Sequence, residues 1–148
     1  PIDDAYKDEF EVALKSCPYA KYKGIVAPES SVEVIKDYYA LLFPTKWAAE
    51  GMPGTIIDAL SAGVPIVASK WPYYSEMLED GVTGFGYDFD KPELLLEALE
   101  KLLLGEVEIE TIRTNCLNHS RSYAPNLVFG EIVRVIEENM DINFSKSI

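Results

Sequence analysis

Residues 40–69 read ALLFPTKWAAEGMPGTIIDALSAGVPIVAS, and the order of their parts decides the fold. Residues 40–44 (ALLFP) and 65–69 (PIVAS) are short and uniformly apolar, as strands buried on both faces are, not alternating as half-exposed strands are. Between them, residues 54–62 make a short helix, with Pro53 pre-set for a first helical turn and Gly63 closing the end. Strand, loop, helix and strand form a βαβ unit, which returns the second strand parallel to the first.

The same alternation extends outward in both directions. Residues 6–16 carry Phe10, Ala13 and Leu14 at helical spacing, with acids early and a lysine late, and predict a surface helix. Residues 22–27 (YKGIVA), ended by Pro28, predict a strand, and Ser30 or Ser31 caps a helix through about Tyr39. Beyond the central unit come a short helix over 74–79, a turn marked by Gly81 and Gly84, and a strand over 85–87. A strongly periodic helix over 94–104 starts at Asp90 with Pro92 just inside and ends at Gly105. Helices over 108–123 and 126–140 follow, and the last eight residues, from Asp141, read as a frayed tail. The fold class is α/β, a doubly wound parallel sheet with helices on both faces.

With 148 residues, 48% of them hydrophobic, the chain can bury a single core. A formal charge of −12 argues against nucleic acid as a partner, because a phosphate backbone selects positive surfaces that release counterions. The same charge disfavours contact with anionic lipid through this segment. Cys17 and Cys116 lack CxxC spacing and there are no clustered histidines, so no metal site is expected and a reduced compartment is. The lone histidine, His119, reads as an exposed residue on a polar helix. Sequons begin at Asn118 and Asn143, but with no signal peptide and no apolar run of membrane-spanning length the expected location is cytoplasmic.

The chemistry concentrates in residues 50–55, EGMPGT. In open α/β sheets ligands sit beyond the carboxyl ends of the strands, where helix amino-termini offer unpaired N–H groups and a positive dipole end. Gly51 and Gly54 permit close backbone approach beside Met52 and Pro53, and Thr55 adds a hydroxyl where a phosphate would rest. Glu50 precedes the helix and Asp58 lies one turn into it. Carboxylates beside a phosphate site are unfavourable unless they accept hydrogen bonds from neutral hydroxyls on either side of the phosphates, and that requirement describes a nucleotide-sugar. The structural alternatives are that Asp58 is a first-turn acid favoured by the dipole and Glu50 a solvated loop acid. Trp47, Trp71, Tyr73 and Tyr74 suit either a sugar pocket or plain packing, and Lys70 suits a phosphate contact less well than a solvated strand end.

Residues 50–69 resemble the EX7E region of the large retaining glycosyltransferase family commonly called family 4, which has the GT-B fold. The likeness extends to residues 38–45 (YYALLFPT) and 75–85 (SEMLEDGVTGF), and the later helices follow the family's plan. The resemblance implies a partial, Rossmann-like nucleotide-sugar-binding domain over residues 1–140, with 141–148 as a tail. It implies that Glu50 contacts hydroxyls of the transferred sugar and that the Gly51-Met52-Pro53-Gly54 turn, through the amides of Gly51, Met52 and Gly54, holds sugar and diphosphate oxygens. Thr55 would lie near the phosphates, Asp58 would take the ribose hydroxyls, and backbone groups at Ile25, Val26 and Ala27 would receive the base. Two departures stand out: Asp58 is a methylene shorter than the usual glutamate, and Lys70-Trp71-Pro72-Tyr73 replaces a glycine-rich turn.

The implied activity is retaining, metal-independent glycosyl transfer from a nucleoside-diphosphate sugar, without a cofactor, to a glycan or lipid-linked acceptor. By the family's plan, two strands and an arginine- and lysine-bearing loop precede Pro1, together with an acceptor-binding amino-terminal domain that would make any membrane contact. This segment alone would then be inactive. A receiver domain is the first rival, but it needs an acceptor aspartate at a strand end and ALLFPTK offers none. A non-catalytic nucleotide-sugar-binding or regulatory module is the second.

Overall fold

Three apolar runs pair side by side in the computed structural model, which describes residues 4–105 and 108–140. They are β1 (Leu41–Phe43), β2 (Ile66–Lys70) and β3 (Gly84–Asp88), all parallel, in the order β1-β2-β3. Leu41 lies opposite Ile66, and Ile66 opposite Gly84, so one register runs across the sheet. The helices in chain order are α1 (Lys7–Ser16), α2 (Ser31–Ile35), α3 (Gly54–Ser61), α4 (Tyr74–Met77), α5 (Leu95–Leu103), α6 (Ile109–Ser120) and α7 (Pro125–Met140). The chain divides into two compact units, Pro1–Ser30 and Ser31–Ile148, and the sheet belongs to the second.

The central strand explains the uniform apolarity of residues 65–69. Ile66, Val67 and Ala68 are each fully buried, and because consecutive strand residues point to opposite faces, both faces of β2 are covered. The cover comes from helices whose inward stripes are apolar at 3.6-residue spacing: Ile56, Ala59 and Leu60 on α3, Ala98 and Leu102 on α5, Ile112 and Cys116 on α6. These side chains and the strands form one core, and α3 packs on α6 while α5 packs on β2 and β3.

Two glycines are set by geometry. Gly63 follows α3 with φ +64°, its N–H bonding to Leu60 C=O while Val64 N–H reaches Ala59 C=O, the paired bonds of a Schellman close. Gly84 opens β3 at φ +148°, and a Cβ there would stand 1.8 Å from the Ile66 carbonyl oxygen. α3 thus ends and β3 begins at positions that a side chain cannot occupy without strain.

Several expected elements shift. No strand forms over residues 22–27: the segment is irregular, Gly24 adopts φ +86°, which breaks an extended run, and all six residues are exposed. Within its unit the segment is instead held by side chains, with the Tyr22 ring edge-on to Phe10 of α1 at 5.5 Å. The helix expected through Tyr39 stops at Ile35, where Tyr38 N–H bonds back to Ile35 C=O in a tighter turn that leads into β1. The helix expected over 74–79 ends at Met77. The tail from Asp141, with the sequon at Asn143, lies outside the described residues.

Candidate functional site at the mouth of α3

The loop between β1 and α3 is anchored before it reaches Glu50. Ser69 on β2, only 1% exposed, donates its hydroxyl to Thr45 C=O at 2.7 Å. The Thr45 hydroxyl accepts Trp47 N–H at 3.1 Å and donates to Glu50 Oε2 at 3.3 Å. Glu50 is half-buried, and Glu50 N–H closes a turn onto Trp47 C=O at 3.1 Å. An acid that sequence alone leaves as a loop residue therefore has a defined place, set from the sheet outward.

Pro53 is the residue before the helix, not its first turn as expected. It is buried with φ −65° and ψ 123°, and its carbonyl accepts Ile56 N–H at 3.0 Å and Ile57 N–H at 3.4 Å. No side chain caps α3, so the amides of Gly54 and Thr55, both exposed, are left for solvent or a ligand. Gly51 and Gly54 face open space: a Cβ on either would meet nothing within 4 Å. The fold's own packing therefore asks for glycine at neither position, in contrast to Gly84. Met52 is exposed beside them.

Asp58, one turn into α3, is not free. Ser31, at the start of α2, donates its hydroxyl to Asp58 Oδ2 at 2.6 Å, a short charge-assisted bond. Each acid of the pair spaced by seven residues thus meets a hydroxyl donor through one oxygen, Glu50 from Thr45 and Asp58 from Ser31. Sequence reasoning assigned Ser31 only a capping role and passed over Thr45. The available signal was a hydroxyl residue at a strand end and at a helix start within reach of the motif. Ile25, Val26 and Ala27 belong to the other unit, where Ile25 and Val26 are exposed and Ala27 C=O accepts Ser30 N–H at 2.9 Å.

A cavity of about 330 Å³ opens against the loop, lined by Gly51, Met52, Tyr73, Glu76, Met77 and Tyr123. Of the aromatics expected to choose between pocket and packing, Tyr73 lines this cavity. Trp71 is buried, edge-on to Phe43 and to Tyr74, and its indole N–H finds no acceptor among the described residues. Trp47 is exposed. Lys70 is not a free solvated lysine: it forms an ion pair with Asp80 and lies over the Tyr74 ring. Asp80 also accepts Tyr74 O–H at 2.8 Å and Gly86 N–H at 2.7 Å. Partial burial pushes the Asp80 pKa up, but the Lys70, Tyr74 and Gly86 donors together outweigh it and hold the carboxyl below its ordinary range. Burial, then the bond to Asp80, pushes Tyr74 well above the usual phenol range, so it remains a donor.

His119 is half-buried, tilted against the Tyr123 ring at 5.7 Å, not plainly exposed as expected, because the helix turn at 121–123 brings that ring back over it. Burial raises the Cys116 thiol to about 12, which removes it as a nucleophile at neutral pH. Among the described residues no group of three or more His, Cys, Asp and Glu side chains converges as a metal site would require, and no helix is long and apolar enough to cross a membrane.

A covered parallel sheet with an uncapped helix mouth beyond the first strand defines a Rossmann-like domain of the ligand-binding kind. The chain belongs to the glycosyl transferases group 1 family, whose profile matches residues 20–120. That match takes in the β1–α3–β2 unit whole and supports glycosyl transfer as the general activity. No curated protein and no solved structure gives a significant match.

Proposed function

We propose that this chain holds the donor of a retaining glycosyl transfer, a nucleoside-diphosphate sugar lying across the mouth of α3. The observation that carries the reading is the uncapped turn at Gly54 and Thr55, with an exposed amide pair between two carboxylates that each keep an oxygen clear of their hydroxyl partner. Diphosphate oxygens suit the amides and the positive dipole end. Sugar and ribose hydroxyls suit the acids, Glu50 towards the transferred sugar and Asp58 towards the ribose. The Ser31 bond occupies Asp58 Oδ2, so a ribose hydroxyl would meet Oδ1, directly or through a water that makes up for the shorter side chain. The cavity beside Gly51 and Met52 offers aromatic edges and the Glu76 carboxylate to a sugar ring.

In the transfer the bond from the anomeric carbon to the diphosphate oxygen breaks, the acceptor oxygen takes that place on the same face, and the acceptor's hydroxyl proton passes to the departing diphosphate oxygen. Negative charge leaves on the diphosphate, where the helix amides stabilise it, while positive charge grows on the ring near Glu50. Residues 50–58 contain no cation, so the amides and dipole are this block's contribution to the leaving charge. No metal or cofactor enters the scheme. The acceptor, a glycan or lipid-linked alcohol, and a cytoplasmic setting are proposed by analogy with the family's fold alone.

The test is turnover of UDP-glucose and GDP-mannose by the full-length protein that carries this segment and by its Glu50→Ala variant. Glu50→Ala is expected to lower turnover by about a hundredfold, the scale of losing one transition-state contact, with an unchanged unfolding midpoint. Equal rates in parent and variant would remove Glu50 from the reaction.

A further inference from the structure

We infer that Thr45 is a positioning residue for Glu50, acting on the donor site through that carboxylate; the inference rests on the role proposed for Glu50 above. A threonine hydroxyl has one proton to give and two lone pairs to share. Trp47 N–H occupies a lone pair from 3.1 Å, the two-residue turn that serine and threonine favour, and this leaves the proton for Glu50 Oε2 at 3.3 Å. The Thr45 main chain is pinned in turn, because the buried Ser69 hydroxyl donates to its carbonyl at 2.7 Å. On β2 Ser69 lies between Ala68 and Lys70, and opposite Tyr87 of β3, whose phenol its hydroxyl also meets. A chain of contacts thus runs from the sheet core, through Thr45, to the loop acid.

The distances say how Thr45 works. A charge-assisted O–H···O⁻ bond is typically about 2.5–2.7 Å, so 3.3 Å steers the carboxylate without clamping it. Thr45 engages Oε2 and leaves Oε1 outside this bond, and hydrogen bonds at a reacting site often tighten when ligand arrives. A purely local role, in which Thr45 only builds the turn to Trp47, predicts a change in stability and none in what Glu50 does.

Crystal structures of Thr45→Val, Thr45→Ser, Glu50→Gln and the Thr45→Val/Glu50→Gln pair, with kinetics of the same variants in the full-length protein that carries this segment and UDP-glucose and GDP-mannose as donors, separate these roles. Thr45→Val, close in shape but without the hydroxyl, is expected to swing the Glu50 carboxylate away from its parent position. It should lower kcat about tenfold, the scale of one hydrogen bond to a charged group, with little change in KM. Thr45→Ser should restore both, and adding Thr45→Val to Glu50→Gln should cost nothing further. A Glu50 carboxylate unmoved in the Thr45→Val crystal overturns the inference whether or not either donor is turned over. So does a full Thr45→Val deficit persisting in the Glu50→Gln background. Glu50→Gln as active as the parent would instead sink the donor-site reading itself, a result distinct from a deficient Glu50→Gln beside a normal Thr45→Val.

Discussion

Asp80 shows how much one side chain can organise at the carboxyl end of a sheet. It gathers an ammonium, a phenol and a backbone amide, from Lys70, Tyr74 and Gly86, and so ties the ends of β2 and β3 to α4. Its pKa is held below the ordinary carboxyl value of about 3.9, so the sign of its pH dependence is fixed. The stabilisation is fully present above that ordinary value and is lost as pH falls through the lowered folded value. The pair is partly exposed and salt will weaken it. Asp80→Asn is therefore expected to lower the thermal midpoint at neutral pH, with the gap to the parent closing in acid below the carboxyl range. A gap independent of pH would show that the charge is not what matters. At this scale the sequence conveyed types but not partners: Glu50 and Asp58 stand out by their spacing around two glycines, whereas the hydroxyls of Thr45 and Ser31 that meet them do not. The Ser31–Asp58 contact, between residues 27 apart, depends on the fold, whereas Thr45 lies five residues before Glu50 and its place at a strand end was the local signal passed over.

Among the elements, the strands and helices of residues 40–104 were legible because burial imposes their pattern. A strand covered on both faces must be apolar throughout, and α5 must keep Ala98 and Leu102 inward. The strand expected over residues 22–27 failed for the complementary reason. It satisfies composition but carries Gly24 at positive φ, and its own unit, Pro1–Ser30, holds no strand among the described residues. A strand needs a neighbour, which composition does not supply. Gly84 is where β3 meets that requirement most tightly, since its missing side chain lets it lie against the Ile66 carbonyl. Gly84→Ala is expected to destabilise the fold by about 3 kcal/mol or more, the range of overpacking combined with backbone strain, as read by denaturant unfolding. Gly54→Ala meets open space and should cost less than about 1 kcal/mol. Similar losses at both positions would mean that the β2–β3 register is wrong.

For the molecule as a whole, charge and topology bear on function differently. The net charge of −12 narrows the partners, yet the site is legible only because the loop after β1 leads into the uncapped turn of α3. Family membership over residues 20–120 agrees with that architecture, and the donor assignment rests on the α3 mouth. A second apolar cavity of about 540 Å³ adjoins the first through Met52 and Tyr123 and is bounded by Val128, Phe129 and Ile132 of α7. The helix over 126–140 was legible as an element, but not the apolar face that it turns to this cavity. The central claim is that a diphosphate rests on the amides of Gly54 and Thr55 between Glu50 and Asp58. Amide chemical-shift mapping of the chain titrated with UDP-glucose, with UDP and glucose as separate controls, tests it most directly. The account predicts that UDP shifts the amides of Gly54, Thr55 and Asp58, and that UDP-glucose adds Glu50, Gly51 and Met52. Saturable shifts confined to other residues, with residues 50–58 silent, would contradict it.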